Sequence, residues 1–450
     1  MTVAKVAPTP AAEELRRRID AAEALVGVVG LGYVGLPLSL AFAEQGFRVL
    51  GFDVDPTKVE ALSRGESYIG HLDGGRVRKA VKGGGLAATG DFERLSEPDA
   101  VLICVPTPLT AHREPEMRYI EETVKEIRQR LRPGQLVVLE STTYPGTTDE
   151  LVRPRLEASG LASGRDFFLA FSPERENPGD SEHTTTTTPK VVGGVDPASG
   201  DLAEALYARI VPRVVRVSTA RVAEATKLTE NIFRAVNIAL VNELKLIYER
   251  MGIDVWEVLA AAATKPFGFM RFDPGPGWGG HCIPIDPYYL SWKAREHGKT
   301  TRFIELAGEI NTGMPDHVVG RVIEALNARG RPASGSRVLI LGLAYKPDVS
   351  DDRESPSYQL MDRLAERGAE VAYHDPHVPI IQPSREHSAW AGMRSVSWER
   401  EAISGFDVVV IATRHTAVDY RELAEWARCI VDTRNAMAGV DVPPGKLLKA

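Results

Sequence analysis

The chain is poor in cysteine: three in 450 residues, too few for a disulfide framework. Cys104 and Cys429 sit in apolar, strand-like runs and read as core, whereas Cys282 does not. Long apolar stretches are missing too. The longest, such as Val408-Val409-Val410-Ile411-Ala412, has strand length and falls far short of a membrane span. Nor is there a strong excess of charge. A formal charge of −7 is mild for this length, and neither a basic patch for nucleic acid nor a polybasic membrane segment occurs. The N-terminus carries Glu13, Glu14 and Arg16 to Arg18 without an apolar core, so a signal peptide is not expected. These absences predict a soluble, cytoplasmic chain that binds neither nucleic acid nor membrane, and no metal site is expected. At 450 residues the chain exceeds one ordinary core, and two or three domains are expected.

What is present begins with Leu25-Val26-Gly27-Val28-Val29, a buried-strand pattern. Gly30-Leu31-Gly32-Tyr33-Val34-Gly35 follows at once, then Leu38-Ser39-Leu40-Ala41-Phe42-Ala43 as helix. This is the dinucleotide fingerprint in its strand–turn–helix setting. The first glycine makes the turn, the second lets pyrophosphate approach, and the third lets helix pack on strand. The helix N-terminus then faces the phosphates. A second strand, Arg48-Val49-Leu50-Gly51-Phe52, ends at Asp53, 23 residues after Gly30. An acid there suits a ribose 2′-OH and favours NAD over NADP; the competing reading is that Asp53 only starts a turn. Lys58 is close enough in sequence to assist at that ribose.

Three further strand ends point to the same edge, because ligands of doubly wound sheets bind at the carboxyl ends of strands. Ala100–Val105 closes in Pro106-Thr107-Pro108. Leu136–Glu140 runs into Ser141-Thr142-Thr143-Tyr144-Pro145-Gly146. Phe168–Phe171 leads into Ser172-Pro173-Glu174-Arg175. Glu174 is therefore a carboxylate delivered to the active edge, or else a solvated loop acid. The Thr184–Thr188 run reads as a polar surface loop.

From about 222 to 251 the pattern is helical. Leu228, Ile232, Ala235, Val236, Ala239, Leu240, Leu244 and Ile247 recur at three- and four-residue steps, and Gly252 ends the run. Such a helix is about 45 Å long and suits a spine between domains or a dimer interface. Lys227 and Asn231 share one of its faces; together they can hold an oxyanion or orient a water, although Lys227 can also be an ordinary exposed lysine. A second helix is expected near 255–263. Then comes Gly275-Pro276-Gly277-Trp278-Gly279-Gly280-His281-Cys282-Ile283-Pro284-Ile285-Asp286, a loop too rich in Gly and Pro for helix or central strand. Its cysteine, with a carboxylate four residues on, is a candidate nucleophile; the bland alternative is an inert Cys in a tight turn. The helical region 303–328 contains Gly313-Met314-Pro315, where a kink or a split is expected.

The last third repeats the first. Val338-Leu339-Ile340-Leu341-Gly342 echoes the first strand, Glu370-Val371-Ala372-Tyr373-His374-Asp375 the second, and Asp407–Ala412 the third, and Cys429-Ile430-Val431-Asp432 adds a fourth. A second α/β sheet follows. Its first turn lacks the glycine triplet and has Lys346 and Arg353 instead, which suggests an anionic ligand held by side-chain charge. The expected fold class is α/β: two doubly wound, Rossmann-like domains joined by a long central helix. The expected boundaries are 1–218 for the NAD-binding domain, 219–330 for a helical dimerisation domain with the Cys loop, and 331–450 for the second Rossmann-like domain with its anionic ligand.

With these residues in view, the chain resembles the UDP-sugar 6-dehydrogenase family. The likeness spans about 26–434 and rests on Gly30–Gly35, Val105-Pro106-Thr107-Pro108, Glu140-Ser141-Thr142, Ser172-Pro173-Glu174-Arg175, Lys227 with Asn231, Gly279–Asp286 and Asp352-Arg353-Glu354-Ser355. The resemblance implies oxidation of a sugar CH2OH to a carboxylate with two NAD+. A Cys thiohemiacetal and then a thioester retain the intermediate until water releases the acid. By matching position, it implies that Cys282 is the nucleophile, that Lys227 and Asn231 stabilise the oxyanion, and that Asp286 assists proton transfer. Thr142 holds a water and Glu174 acts in thioester hydrolysis. On the cofactor side stand Gly30, Leu31, Gly32, Tyr33, Val34, Gly35, Asp53, Lys58, Val105, Thr107, Thr142 and Arg353. On the sugar-nucleotide side stand Glu174, Lys227, Asn231, Gly277, Gly279, Tyr345, Lys346 and Arg434. A homodimer through the long helix is also implied.

The same resemblance bears on the substrate. Ala261–Phe269, Glu174–Gly179 and His281, where UDP-glucose enzymes usually have Ser, are similar to the branch acting on UDP-N-acetylhexosamines, the glucosamine type above the mannosamine type. UDP-N-acetyl-D-glucosamine is the expected substrate, with UDP-N-acetyl-D-mannosamine and UDP-glucose as alternatives. A two-electron hydroxy-acid dehydrogenase and a silent nucleotide-sugar-binding regulator are the readings outside that class. Arg271 either touches phosphate, across a dimer, or lies on the surface.

Overall fold

The computed structural model describes residues 9–70, 72–110, 112–176, 184–280, 282–384 and 387–450. His281 and the Asn177-Pro178-Gly179 stretch therefore lie outside the described residues. The chain forms two compact units: Met1–Glu230 with Tyr288–Lys299, and Asn231–Pro287 with Thr300–Ala450.

The first unit is built on eight strands: β1 (Leu25–Val29), β2 (Arg48–Phe52), β3 (Leu86–Thr89), β4 (Ala100–Ile103), β5 (Leu136–Leu139), β6 (Phe168–Phe171), β7 (Lys190–Gly194) and β8 (Val214–Arg216). Their order is β3-β2-β1-β4-β5-β6-β7-β8. The central strands are apolar throughout because helices cover both faces of the sheet; every residue of β4, β5 and β6 is buried. Strand order reverses between β1 and β4, which places the binding crevice at their carboxyl ends. Pairing is parallel except for β6 with β7, which run antiparallel in the register Ala170↔Gly194. That reversal, and strands β3, β7 and β8, are not among the elements read from the sequence: β3 and β7 are rich in Ala or Gly, and β8 has three residues.

The second unit holds five parallel strands, β9 (Arg337–Leu341), β10 (Glu370–His374), β11 (Val408–Ile411), β12 (Ile430–Asp432) and β13 (Leu447–Lys449), in the order β10-β9-β11-β12-β13. The internal repeat is visible at atomic detail. In the first unit the Asp53 carboxylate, just past β2, accepts the Leu31 N–H at 2.9 Å. In the second, Asp375, just past β10, accepts those of Leu343 and Ala344 at 2.7 and 2.8 Å.

The long helix runs Ala220–Arg250, 31 residues. The helix Arg302–Asn327 is continuous with Pro315 inside it, so the expected split at Gly313-Met314-Pro315 does not occur. Proline cannot donate to the carbonyl four residues back; that carbonyl, on Asn311, lies 3.3 Å from where a Cβ on Gly277 would stand. Surrounding packing holds the turn, with Met314 and Pro315 both buried. A buried amide pair ties this helix to the long one: Asn242 Nδ2 donates to Asn311 Oδ1 at 2.8 Å, and Asn242 Oδ1 accepts the Gly275 N–H at 2.9 Å. Asn242 thus anchors the start of the Cys loop.

Candidate active site

In the first unit the glycines of the β1 turn separate by function. Gly30 has φ +92°, and a Cβ there would lie 2.5 Å from the Cys104 carbonyl oxygen; a Cβ on Gly35 would lie 1.8 Å from that of Gly30. Both are steric necessities of the fold. Around Gly32 no atom comes within 4 Å of a built Cβ, so its openness serves something other than packing. The helix Gly35–Glu44 starts at Val34 with no side-chain cap, which leaves N–H groups and the positive end of the helix dipole for an anion. Asp53 stands next to this turn, buried, with Asp55 N–H at 2.9 Å on one oxygen and Lys58 Nζ at 3.2 Å on the other. An open glycine, an uncapped helix start and an acid at the end of β2 fit a dinucleotide.

Beside it, Ser141 Oγ donates to the Val105 carbonyl at 2.8 Å, which ties the Thr142 loop to the loop carrying Thr107. Thr107 is buried and Thr142 is partly exposed. Glu224, on the long helix, accepts the N–H groups of Gly146 and Thr148 and the Thr148 hydroxyl, at 2.6, 2.8 and 2.6 Å. Burial, opposed by these donors, pushes it up to about 7. Three residues on, Lys227 is buried and its Nζ donates to the Glu174 carbonyl at 2.6 Å, so it is not a surface lysine. Glu174 is not a solvated acid either. Its Oε1 accepts the N–H groups of Arg175 and Glu176, both at 2.7 Å, and its Oε2 faces Lys190 at 3.0 Å. Burial raises its pKa, but Lys190 and these N–H groups outweigh that and hold it below the ordinary carboxylate range. Thr185 departs from the expected surface loop: it is buried, its hydroxyl given to Glu176.

In the second unit the Asn231 amide is engaged at both ends. Its Nδ2 donates to Asp286 and its Oδ1 accepts from Arg234. Asp286 is buried and its own N–H donates to the Cys282 carbonyl at 2.8 Å. One compact turn therefore links Cys282, Asp286 and Asn231. Cys282 is partly exposed, whereas Cys104 and Cys429 are buried and burial pushes both thiols up; of the three, Cys282 is the one that solvent reaches. Arg234 is absent from the residues picked out in the sequence, although its three-residue spacing from Asn231 is the signal that could have found it.

The glycines of the Cys loop admit side chains. A Cβ on Gly280 (φ +83°) would meet the Tyr345 ring at 2.8 Å, one on Gly279 the Glu354 carbonyl oxygen at 3.0 Å, and one on Gly275 the Arg434 guanidinium at 2.2 Å. Gly277 takes φ +136°. Burial, with Asp351 nearby, pushes Tyr345 up to about 12. Burial brings Arg434 down to about 10 against the pull of Asp273 and Asp432, and its Nε donates to the Ala412 carbonyl at 2.8 Å. A half-buried guanidinium beside a glycine loop is suited to a phosphate. Lys346 is partly buried beside Tyr345 in the chain. Arg353 forms a two-point pair with Asp351 at 2.8 and 2.7 Å. Arg271 is exposed and pairs with Asp273 at 2.8 Å. Asp348, His377 and His415 bring donor atoms within 4.8 Å of one another. Both ring nitrogens of His415 are engaged, by Asp348 N–H at 3.1 Å and Asp375 at 3.0 Å, which reads as a structural brace.

Comparison with known proteins adds three family matches. Residues 24–211 match the NAD binding domain of the UDP-glucose/GDP-mannose dehydrogenase family, residues 221–313 its central domain, and residues 339–439 its UDP binding domain. The chain is 37% identical over 393 residues to a UDP-N-acetyl-D-glucosamine 6-dehydrogenase of Pseudomonas aeruginosa, covering 87% of this chain and 90% of that one. It is 34% identical over 417 residues to a UDP-N-acetyl-D-mannosamine dehydrogenase of Pyrococcus horikoshii, covering 91% and 95%. A solved structure of a UDP-D-ManNAc dehydrogenase from Pyrococcus horikoshii superposes with TM-score 0.85 at 31% identity, covering 94% of this chain and 98% of that one. No helix among the described residues is long and apolar enough to cross a membrane.

Proposed function

Since the chain belongs to the UDP-glucose/GDP-mannose dehydrogenase family and is an NAD-dependent oxidoreductase, we propose that it oxidises C6 of a UDP-N-acetylhexosamine to the uronic acid, with UDP-N-acetyl-D-glucosamine the first choice. The observation that carries the four-electron reading is the Cys282 turn. The one partly exposed thiol of the chain stands on the loop that also places Asp286 against Asn231. A two-electron dehydrogenase needs no such thiol. The glucosamine assignment is supported by the 37% identity to an enzyme of that name.

In this reading NAD lies at the Gly30–Gly35 turn, with Asp53 and Lys58 at its ribose and Val105, Thr107, Thr142 and Arg353 as further contacts, and supplies the hydride acceptor, two equivalents per sugar. Cys282 Sγ bonds to the aldehyde carbon, so the reactive intermediate is never released. Lys227 and Asn231 stabilise the oxygen that becomes negative in this adduct. Asp286, held by Asn231, relays the proton. At the thioester stage a water held by Thr142 attacks the carbonyl carbon, Glu174 assists by taking a proton, and the bond to Sγ breaks. Overall one water is consumed and a carboxylate is formed. Gly277, Gly279, Tyr345, Lys346 and Arg434 bind the sugar nucleotide; the half-buried Arg434 supplies the charge its phosphates need.

A homodimer completes the reading. Phe233, Leu240 and Ile247, each about half exposed at 47, 48 and 46%, lie seven residues apart along one stripe of the long helix. Such a stripe of large apolar side chains is costly to leave in water. NADH formed per sugar consumed, measured with the N-acetylglucosamine, N-acetylmannosamine and glucose forms of the UDP-sugar, tests the assignment. Two NADH on the first and little turnover on the others is the expected result. One NADH per sugar withdraws the roles of Cys282 and Glu174, and preference for another sugar withdraws the glucosamine assignment.

A further inference from the structure

Behind Glu174 lies a buried charge cluster that nothing above assigns. Lys190, the first residue of β7, is 2% exposed; its Nζ stands 2.8 Å from Glu140 Oε2 and 3.0 Å from Glu174 Oε2. The ammonium also lies 5.3 Å from the centre of the Tyr207 ring, and the Tyr207 hydroxyl donates to Glu140. The antiparallel turn of the sheet makes this possible: β7 runs back along β6, so its first residue stands at the carboxyl end of β6, where Glu174 follows.

One ammonium faces two carboxylates. Among the described residues, no second cation pairs with either acid, since Arg175 pairs with Glu230 and Lys227 holds only the Glu174 main chain. Burying an uncompensated carboxylate is expensive, so the two acids cannot be equivalent. Glu174 has two backbone N–H groups besides Lys190, whereas Glu140 has only the Tyr207 hydroxyl. The directions agree: burial raises Glu140 despite Lys190, while Glu174 is lowered. Glu176, which burial raises, and the buried Cys104 thiol are the remaining titratable neighbours.

We propose that Lys190 is a positioning residue which keeps Glu174 ionised and aimed for thioester hydrolysis, and leaves Glu140 as the acid that takes up the cluster's proton. This rests on the hydrolytic role given to Glu174. Without Lys190 the two acids share one proton, and Glu174 is no longer reliably a base near neutral pH.

The test follows turnover and the Cys282-bound acyl adduct, by acid quench and intact mass, from pH 6 to 9 in the full chain. In Lys190→Met the expected result is a fall in kcat of about tenfold at pH 6 that is largely recovered by pH 9, as a base whose titration has risen to about one unit above pH 6 predicts. The acyl adduct should accumulate at the low end. Lys190→Met combined with Glu140→Gln removes the ion pair as a unit, guards against failure to fold, and should lie between Lys190→Met and wild type. A loss of activity equal at all pH values in both variants, or no adduct, makes Lys190 a structural brace and overturns the proposal. Glu174→Gln separates the two claims. Adduct accumulation at every pH supports the Glu174 role on its own; if the variant turns over like wild type, that role and this proposal both fall.

Discussion

The same substitution made three residues apart in the β1 turn should have opposite consequences. In Gly35→Ala the new Cβ would stand 1.8 Å from the Gly30 carbonyl oxygen and 3.1 Å from Val28 Cγ1. The obstacle is backbone, so the helix Gly35–Glu44 has to move off the sheet by more than an ångström. Overpacking of this kind costs about 1–3 kcal/mol or more. For a unit of this size that lowers Tm by roughly 3–10 °C. In Gly32→Ala the new Cβ meets no atom within 4 Å, and Gly32 is not among the glycines with positive φ. Alanine there should leave Tm unchanged or raise it slightly, because it removes freedom from the unfolded chain by about 0.4–1 kcal/mol. The methyl group instead occupies the approach of the pyrophosphate, so the Kd for NAD+ should rise about tenfold or more, equivalent to ~1.4 kcal/mol. Thermal unfolding with and without NAD+, alongside calorimetric titration, reads both quantities. A Gly32→Ala protein that melts as low as Gly35→Ala, or one that binds NAD+ like wild type, would refute the division of roles.

Cys282→Ala should abolish acid formation while NAD+ binding stays near normal; unchanged turnover would remove the nucleophile assignment. Asp53→Ala loses a carboxylate that anchors Leu31 N–H as well as facing Lys58. Titration should show NAD+ binding weakened by about tenfold and discrimination against NADP+ relaxed; unaltered binding of both would make Asp53 structural only. For Glu224, raised from 4.5 to about 7 chiefly by burial, the folded chain binds a proton that the unfolded chain has released between those values. The stability this contributes is complete below about 4.5 and is lost as pH rises through 7, up to ~3 kcal/mol. Denaturant unfolding of Glu224→Gln from pH 5 to 8 should therefore show a flatter dependence than wild type, and equal slopes would refute it.

Reading the chain located what local pattern can specify. Apolar runs ending in glycine, an acid at the end of the second strand, and a Gly/Pro loop around a cysteine are one-dimensional signals. They placed β1, β2, β4, β5, β6, β9, β10, β11, β12 and the Cys loop. What they missed are polar groups whose partners are remote in sequence. Lys190 meets Glu140 fifty residues away, Glu224 meets Gly146 and Thr148, and Asn242 meets Asn311. Each stands in a stretch that is otherwise apolar or helical, and a lone polar residue at a core position is the one hint available. Pro315 is the converse: local chemistry argues for a break, and packing around Met314 and Pro315 overrides it.

The sequence by itself therefore determined the two α/β repeats, the dinucleotide turn and the identity of the exposed cysteine, because strand, turn and cap preferences depend on near neighbours. Only the tertiary structure decided the surroundings of the charged groups. Whether Glu174 is a loop acid or a clamped carboxylate, and whether Lys227 is solvated or buried against a carbonyl, depends on what the folded chain places within three ångströms and on how much water it removes. Those two quantities are properties of the packed molecule and are written in no single stretch of it.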